Sequence, residues 1–172
     1  VFNTRLFFDI VKKLPEEIVS VEVDDKLTAT IRSGFTEFKI PATPAEDFPE
    51  LPTVERTRSF GVEAETLCKM IGRTLFAVSQ NENKPVITGS LFEVAGDSLT
   101  VVSVDGFRLA LCTQKIDEQQ GKEDFSFVVP GVALREVERL AAENKGIIEI
   151  GLGKRHILFN MENTVIISRL LE

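Results

Sequence analysis

The chain has 172 residues, 43% of them hydrophobic, and a formal net charge of −7 at pH 7. That length holds one large domain or two small ones, and the apolar fraction belongs to a folded chain rather than a disordered one. An acidic chain repels nucleic acid unless its basic residues gather on one face, and 13 Phe without Trp or Tyr disfavour an extensive stacking platform for single strands. No apolar run approaches the roughly 18 residues a membrane-crossing helix requires, and nothing at the start resembles a basic, apolar secretion leader. Cys68 and Cys112 lack a CxxC context, so two reduced thiols in a cytoplasmic protein are expected in preference to a disulfide.

The apolar spacing changes period along the chain. In TRLFFDIVKKLP, Phe7, Ile10, Val11 and Leu14 fall at helical intervals and Pro15 stops the run. VSVEV, KLTATIR and TEFKI then alternate with period two, separated by Asp24-Asp25 and Ser33-Gly34, which are turn chemistry. The Pro- and acid-rich IPATPAEDFPELPTVERT reads as a joint between domains. Beyond it, EAETLCKMIGRTLFAVS carries Leu67, Ile71, Leu75 and Val78 on one face, which predicts a helix over 63–79. ITGSLFEVAG, SLTVVSV and FRLALCTQKI follow as strands. GVALREVERLAAENKG repeats the helical pattern, with Leu134, Val137 and Ala141 as its stripe and Gly146 suited to a C-terminal cap. IIEIG, RHILF and TVIISRLL close the chain as strands.

A helix followed by three strands thus recurs three times. Two such units pair into one α+β domain, helices packed together against continuous antiparallel sheets. Three is an odd number, and one unit precedes the joint. The sequence therefore reads as a fragment: half a domain over 1–52 and a complete domain over 53–172.

Asp105-Gly106, in LTVVSVDGFRLALC, is a hairpin signal, and a type I′ turn there requires positive φ at both central positions. The residues alone allow a plain reading, with Val102, Val104, Phe107, Leu109 and Leu111 as sheet core and Arg108 in solvent on the alternate face.

FFDIVKKLP, PAEDFPELP, LFEVAGDSL and above all VVSVDGFRLALC resemble the bacterial DNA polymerase III β subunits, the replicative sliding clamps. The resemblance runs over essentially the whole chain in the right order. It implies the α+β DNA-clamp (processivity) fold, with 1–52 as the second half of a first domain and 53–172 as a second domain. It further implies a head-to-tail homodimeric ring, in the full-length protein, that encloses double-stranded DNA without catalysis, metal or cofactor. Sliding forbids contacts that read bases, so phosphate-directed cations on inner helices suffice. The positions nominated are Arg5, Lys12 and Lys13, the pairs Lys69 with Arg73 and Arg135 with Arg139, and Asn81 and Lys84 in QNENKP. A solvated helix face explains some of these as well, since Glu65 precedes Lys69 by a salt-pair interval.

The resemblance also implies a groove at the Asp105-Gly106 turn for short peptides ending in apolar side chains. These would belong to the DNA polymerase III catalytic subunit, the clamp loader and repair proteins. Ile87, Val104 and Leu109 would form an aliphatic rim, Gly89 and Gly106 would allow close backbone approach, and Phe107 and Arg108 would complete the wall. Arg108 would lay its stem along the pocket and turn its guanidinium to a peptide carbonyl or carboxylate. Val104 stands where many clamps have Thr and Phe107 where many have His, which shifts preference towards apolar anchors. FTEFKI matches the edge strand at the ring interface, nominating Phe38 and Ile40, an aggregation liability unless covered.

Rival functions find less support. Ser103, Asp105 and His156, the single histidine, could be imagined as a hydrolase triad, but no GxSxG accompanies them, and His156 in KRHILF reads as a strand residue. Phosphate-loop spacings and clustered metal ligands are missing as well. The alternative from another class is an α+β interaction module with an apolar peptide groove and no role on DNA.

Overall fold

In the computed structural model, which describes residues 1–15, 17–50, 52–116 and 124–172, Asn3 opens the first helix. Its side-chain oxygen accepts the Leu6 N–H at 3.0 Å, satisfying one of the donors a helix start leaves free. The helix, α1 (Thr4–Val11), is followed by β1 (Ser20–Val23), β2 (Thr28–Ser33) and β3 (Thr36–Pro41), an antiparallel sheet in the order β1-β2-β3. Ile10, Ala29, Ile31 and Ile40 form the core of this unit, Val1–Leu51, with Phe2, Phe7, Leu14 and Val19 packed around it. β3 is an edge strand, as its sequence suggests, but Ile40 points into the core and is buried. Of the two nominated residues Phe38 alone is exposed, at 40%.

The second unit, Pro52–Glu172, is built from two like halves. One runs β4 (Arg58–Glu63), α2 (Ala64–Thr74), β5 (Gly89–Ala95), β6 (Ser98–Val104) and β7 (Leu109–Lys115). The other runs β8 (Phe125–Pro130), α3 (Gly131–Ala141), β9 (Ile147–Leu152), β10 (His156–Met161) and β11 (Thr164–Arg169). Each half gives its first strand to the other. The sheets are ordered β7-β6-β5-β8 and β11-β10-β9-β4. Phe127 faces Phe92 across one exchange and Phe60 faces Ile150 across the other. The Phe92 and Phe127 rings stack with centroids 5.4 Å apart, within the range where aromatic pairs add to their burial. The two sheets join edge to edge where the Leu171 N–H donates to the Val128 carbonyl at 3.0 Å.

The helices lie side by side, burying Leu67, Met70 and Ile71 of α2 and Leu134, Val137 and Ala141 of α3 in the common core. Their approach is close. The Cys68 thiol is 3.5 Å from the Glu138 carbonyl, and a Cβ on Gly72 would come within 2.8 Å of the Glu138 carboxylate.

Several expectations need correction. The sequence pattern does not mark β4 and β8, so in this unit the repeat is a strand, a helix and three strands. Each of these strands is short, with two fully inward apolar residues (Phe60 and Val62, Phe127 and Val129), and finds its partner in the other half, leaving no local hairpin signal. The middle helix stops at Thr74 instead of reaching Ser79. The Thr74 hydroxyl donates back to the Met70 carbonyl at 2.9 Å while its backbone leaves the helical region, and Leu75–Ala77 tightens into a 3-10 turn. Gly146 does not cap α3, which ends at Ala141; its carbonyl accepts the Ala64 N–H at 3.0 Å and so holds the start of α2.

The β7 face is also the reverse of the plain reading. Ala110 and Cys112 point inward, where their small size lets α2 lie against the strand, while Leu109 and Leu111 are 64% and 59% exposed.

Phe92→Ala is expected to cost about 3–5 kcal/mol, as for other buried aromatic deletions, read as a shift of the urea midpoint by circular dichroism. Phe35→Ala, at a fully exposed turn, is expected to change it by less than about 0.5 kcal/mol.

Candidate functional site

The turn between β6 and β7 is a four-residue loop, Asp105 to Arg108, with Val104 and Leu109 as the last paired residues. Of the four, Gly106 alone has positive φ, at 95°, so the expected type I′ geometry is not formed. Asp105 organises the loop instead. Its Oδ1 accepts the Phe107 N–H at 3.0 Å and the Arg108 N–H at 3.1 Å, and its Oδ2 accepts Arg108 Nε–H at 2.9 Å. Arg108 Nη2 donates to the Phe76 carbonyl at 2.9 Å, and its guanidinium carbon lies 5.5 Å from the centre of the Phe76 ring. The loop tip is thereby tied to the 3-10 turn that ends α2. The N–H of Phe107 does most to hold the Asp105 carboxyl below its ordinary value of 3.8; burial opposes it, and the Arg108 N–H and guanidinium lower it further.

Beside this tie lies an open cavity of about 560 Å³. It brings together four of the seven nominated groove positions, Ile87, Gly106, Phe107 and Arg108, with the nominated loop residues Asn81 and Lys84. The other nominated groove residues lie elsewhere. Gly89 is buried, and its close approach is to its own sheet, since a Cβ there would stand 2.3 Å from the Val129 carbonyl. Val104 and Leu109 point to the outer face of the sheet and do not line the cavity.

Phe76 and Val78 also line the cavity, and the motif does not point to them. Both were hidden in the over-extended helix. Phe76 is out of phase with the stripe of Leu67, Ile71 and Leu75, and an aromatic residue off its helix stripe, here 59% exposed, was the available signal. Phe107 is fully exposed at the rim.

The nominated cations divide. Lys69 is paired with Glu65, whose carboxyl it lowers, and Arg139 with Glu136 at 2.9 Å. Arg73 and Arg135 are exposed and have no partner among the described residues. In the other unit Arg5, Lys12 and Lys13 are exposed, Lys12 lying 5.9 Å from the Phe8 ring centre. Asn81 turns its side-chain oxygen to the Asn83 N–H at 3.0 Å.

No hydrolase geometry accompanies these features. Ser103 is buried against Ser90, hydroxyl to hydroxyl at 2.7 Å, in a different sheet from His156. A larger cavity of about 730 Å³, between the start of α2 and the end of α3, contains Cys68. Burial, with the nearby Glu138 charge, pushes that thiol's pKa up and away from reactivity. Among the described residues no cluster of metal ligands occurs and no helix is long and apolar enough to cross a membrane.

Exchanged strands, a helix pair on one side of joined antiparallel sheets and a cavity at a hairpin tip define the α+β clamp fold. Comparison with known proteins makes this specific. Residues 1–52 match the family described as DNA polymerase III beta subunit, N-terminal domain, and residues 61–172 match its central domain. The beta sliding clamp of Halalkalibacterium halodurans is 35% identical across the whole chain, which covers 46% of that protein. A putative DNA polymerase III beta subunit from Eubacterium rectale superposes with a TM-score of 0.90 at 32% identity, over 99% of this chain and 46% of that one. A sliding clamp from Pseudomonas aeruginosa bound to griselimycin gives 0.88 at 29% identity, over 98% and 45%. The chain belongs to the DNA polymerase III beta-subunit family, and it spans less than half the length of the relatives it matches.

Because the Asp105 pKa is depressed in the folded state, its stabilising contribution is complete above the ordinary value of 3.8 and is lost as pH falls through the lower folded value. Carboxyl-carbon NMR should therefore show Asp105 titrating below 3.8, with the Phe107 and Arg108 amides losing protection over the same interval. A midpoint at or above 3.8 contradicts the loop geometry.

Proposed function

We propose that this chain is part of a processivity clamp of bacterial DNA replication, non-catalytic and cytoplasmic. It acts by enclosing duplex DNA in a ring and tethering polymerase and other replication proteins through the hairpin-tip groove. The observation that carries this reading is the whole-chain match to clamps, both in sequence and in the exchange of strands between half-domains. The domain division is 1–52 and 53–172, half of a first clamp domain and a complete second one.

Arg5, Lys12, Lys13, Arg73 and Arg135 are the phosphate-directed cations this reading favours, because they are exposed and, unlike Lys69 and Arg139, not engaged by a carboxylate among the described residues. Non-specific attraction to phosphates suits a ring that must slide. The peptide site is the cavity of Phe76, Val78, Ile87, Phe107 and Arg108, whose apolar walls suit a leucine or phenylalanine anchor. The griselimycin-bound relative supports a ligand site on this fold without assigning it to these residues. Phe38, on the edge strand β3, is the remaining candidate for the contact between subunits.

The test uses the full-length protein that carries these residues. Loaded onto closed circular duplex, it should remain bound at high salt and leave when the circle is cut. Loss at high salt from intact circles, or indifference to cutting, supports instead an interaction module without a role on DNA. In the 172-residue chain, replacing Arg73 and Arg135 together by Ala should lower the slope of log K for duplex against log salt by about 2.

A further inference from the structure

Arg108 looks from its sequence position like a cation offered to a ligand, yet two of its five N–H donors are already used and its charge is paired with Asp105. Nε–H goes to Asp105 and one terminal nitrogen to the Phe76 carbonyl, both at 2.9 Å, and the planar group stands over the Phe76 ring. A guanidinium is suited to such a task, because its donors are fixed in one plane and can address a carboxylate and a carbonyl at once, whereas an ammonium is a single point charge. The Asp105 partner is itself held by two backbone N–H groups, so it cannot swing away without releasing the loop. A ligand carboxylate approaching Arg108 would meet a charge already neutralised by Asp105, and at the Nε edge it would have to displace that carboxylate.

The two ends of this connection are the two walls of the cavity. On one side stand Phe76 and Val78, after the end of α2; on the other stand Gly106 and Phe107, at the hairpin tip. Among the described residues no other hydrogen bond or ion pair joins the tip to Phe76: the Asp105 N–H to Arg108 carbonyl bond, at 3.3 Å, closes the loop only on itself. Lys84 lines the same cavity, is exposed, and has no partner among the described residues. It is the cation left over for an acidic group.

We propose that Arg108 is a positioning residue of the groove, a strap that fixes the separation of Phe76 and Phe107 for an uncharged apolar anchor, and that it does not itself bind the ligand's charge. This rests on the groove reading given above. The strap preorganises the cavity, so its removal weakens apolar and acidic ligands alike, while charge selectivity belongs to Lys84.

The experiment has two arms, both on the 172-residue chain. Without ligand, the Arg108 Nε–H proton should give a slowly exchanging NMR signal that disappears in Asp105→Asn, with a shift of the Phe76 ring resonances in Arg108→Lys. A free-arginine exchange rate in the unsubstituted chain overturns the strap whatever the groove binds. The second arm titrates two five-residue peptides ending in Leu-Phe, one neutral and one with an aspartate upstream.

Arg108→Ala and Arg108→Lys should each weaken both peptides by a similar factor, about tenfold. Asp105→Asn should weaken the neutral peptide to the same degree, and the double variant Asp105→Asn/Arg108→Ala should be no worse than either single one. Lys84→Ala should remove the preference between the two peptides. A loss confined to the acidic peptide on Arg108→Ala, or additive losses in the double variant, overturns the proposal. If the unsubstituted chain binds neither peptide, the groove reading fails, and the first arm shows separately whether the strap exists.

Discussion

The exchange of one strand between half-domains is the constraint on which the second unit depends. β4 completes the sheet of β9 to β11, and β8 completes the sheet of β5 to β7. Neither half can then bury its core alone, because Phe60 is packed among residues of the far half and Phe127 stacks on Phe92. Each exchanged strand runs directly into a helix, so the crossing of strands also fixes where α2 and α3 begin. The bond from the Ala64 N–H to the Gly146 carbonyl ties the start of α2 to the chain entering β9, and closes that junction. Two helices started in this way have little choice but to lie together, and the small residue Gly72 lets them do so closely.

The hairpin tip follows from the same arrangement. α2 rests on β7 through Ala110 and Cys112, and its end at Thr74 delivers Phe76 to the neighbourhood of the β6–β7 loop. Asp105 and Arg108 then convert proximity into a defined cavity wall. Exposed ion pairs of this kind contribute little to global stability. The worth of this one lies in local order, because its carboxylate also holds two backbone N–H groups and its guanidinium a carbonyl. A loop placed by a rigid scaffold and ordered by its own polar groups is a common way to build a binding site.

Much of this was legible in the sequence where a signal is local. The period-two and helical runs locate the three helices and nine of the strands, and their repetition implies paired helices and joined sheets. β4 and β8 were not legible, because a strand of six residues that pairs with a distant segment has no turn beside it to mark it. The end of α2 was obscured by Leu75 and Val78, which keep the helical spacing although a threonine hydroxyl has already turned the chain. At the candidate site, Asp105, Gly106 and Arg108 stood out by motif. Their roles did not, since nothing in DGFR reveals that the arginine turns back to its own aspartate. Inward and outward faces of β7 were inverted for a related reason: burial there is decided by how near α2 must come, which favours alanine and cysteine over leucine.

Native-state hydrogen exchange tests the strand exchange most directly. The amides of Phe60, Val62, Phe127 and Val129 should share one opening free energy with those of Val101 and Phe159 in the strands they complete, because no part of the second unit opens without the rest. If β4 and β8 instead exchange through a separate, lower-energy opening while both three-stranded remainders stay protected, the halves are independent and this account of the fold is wrong.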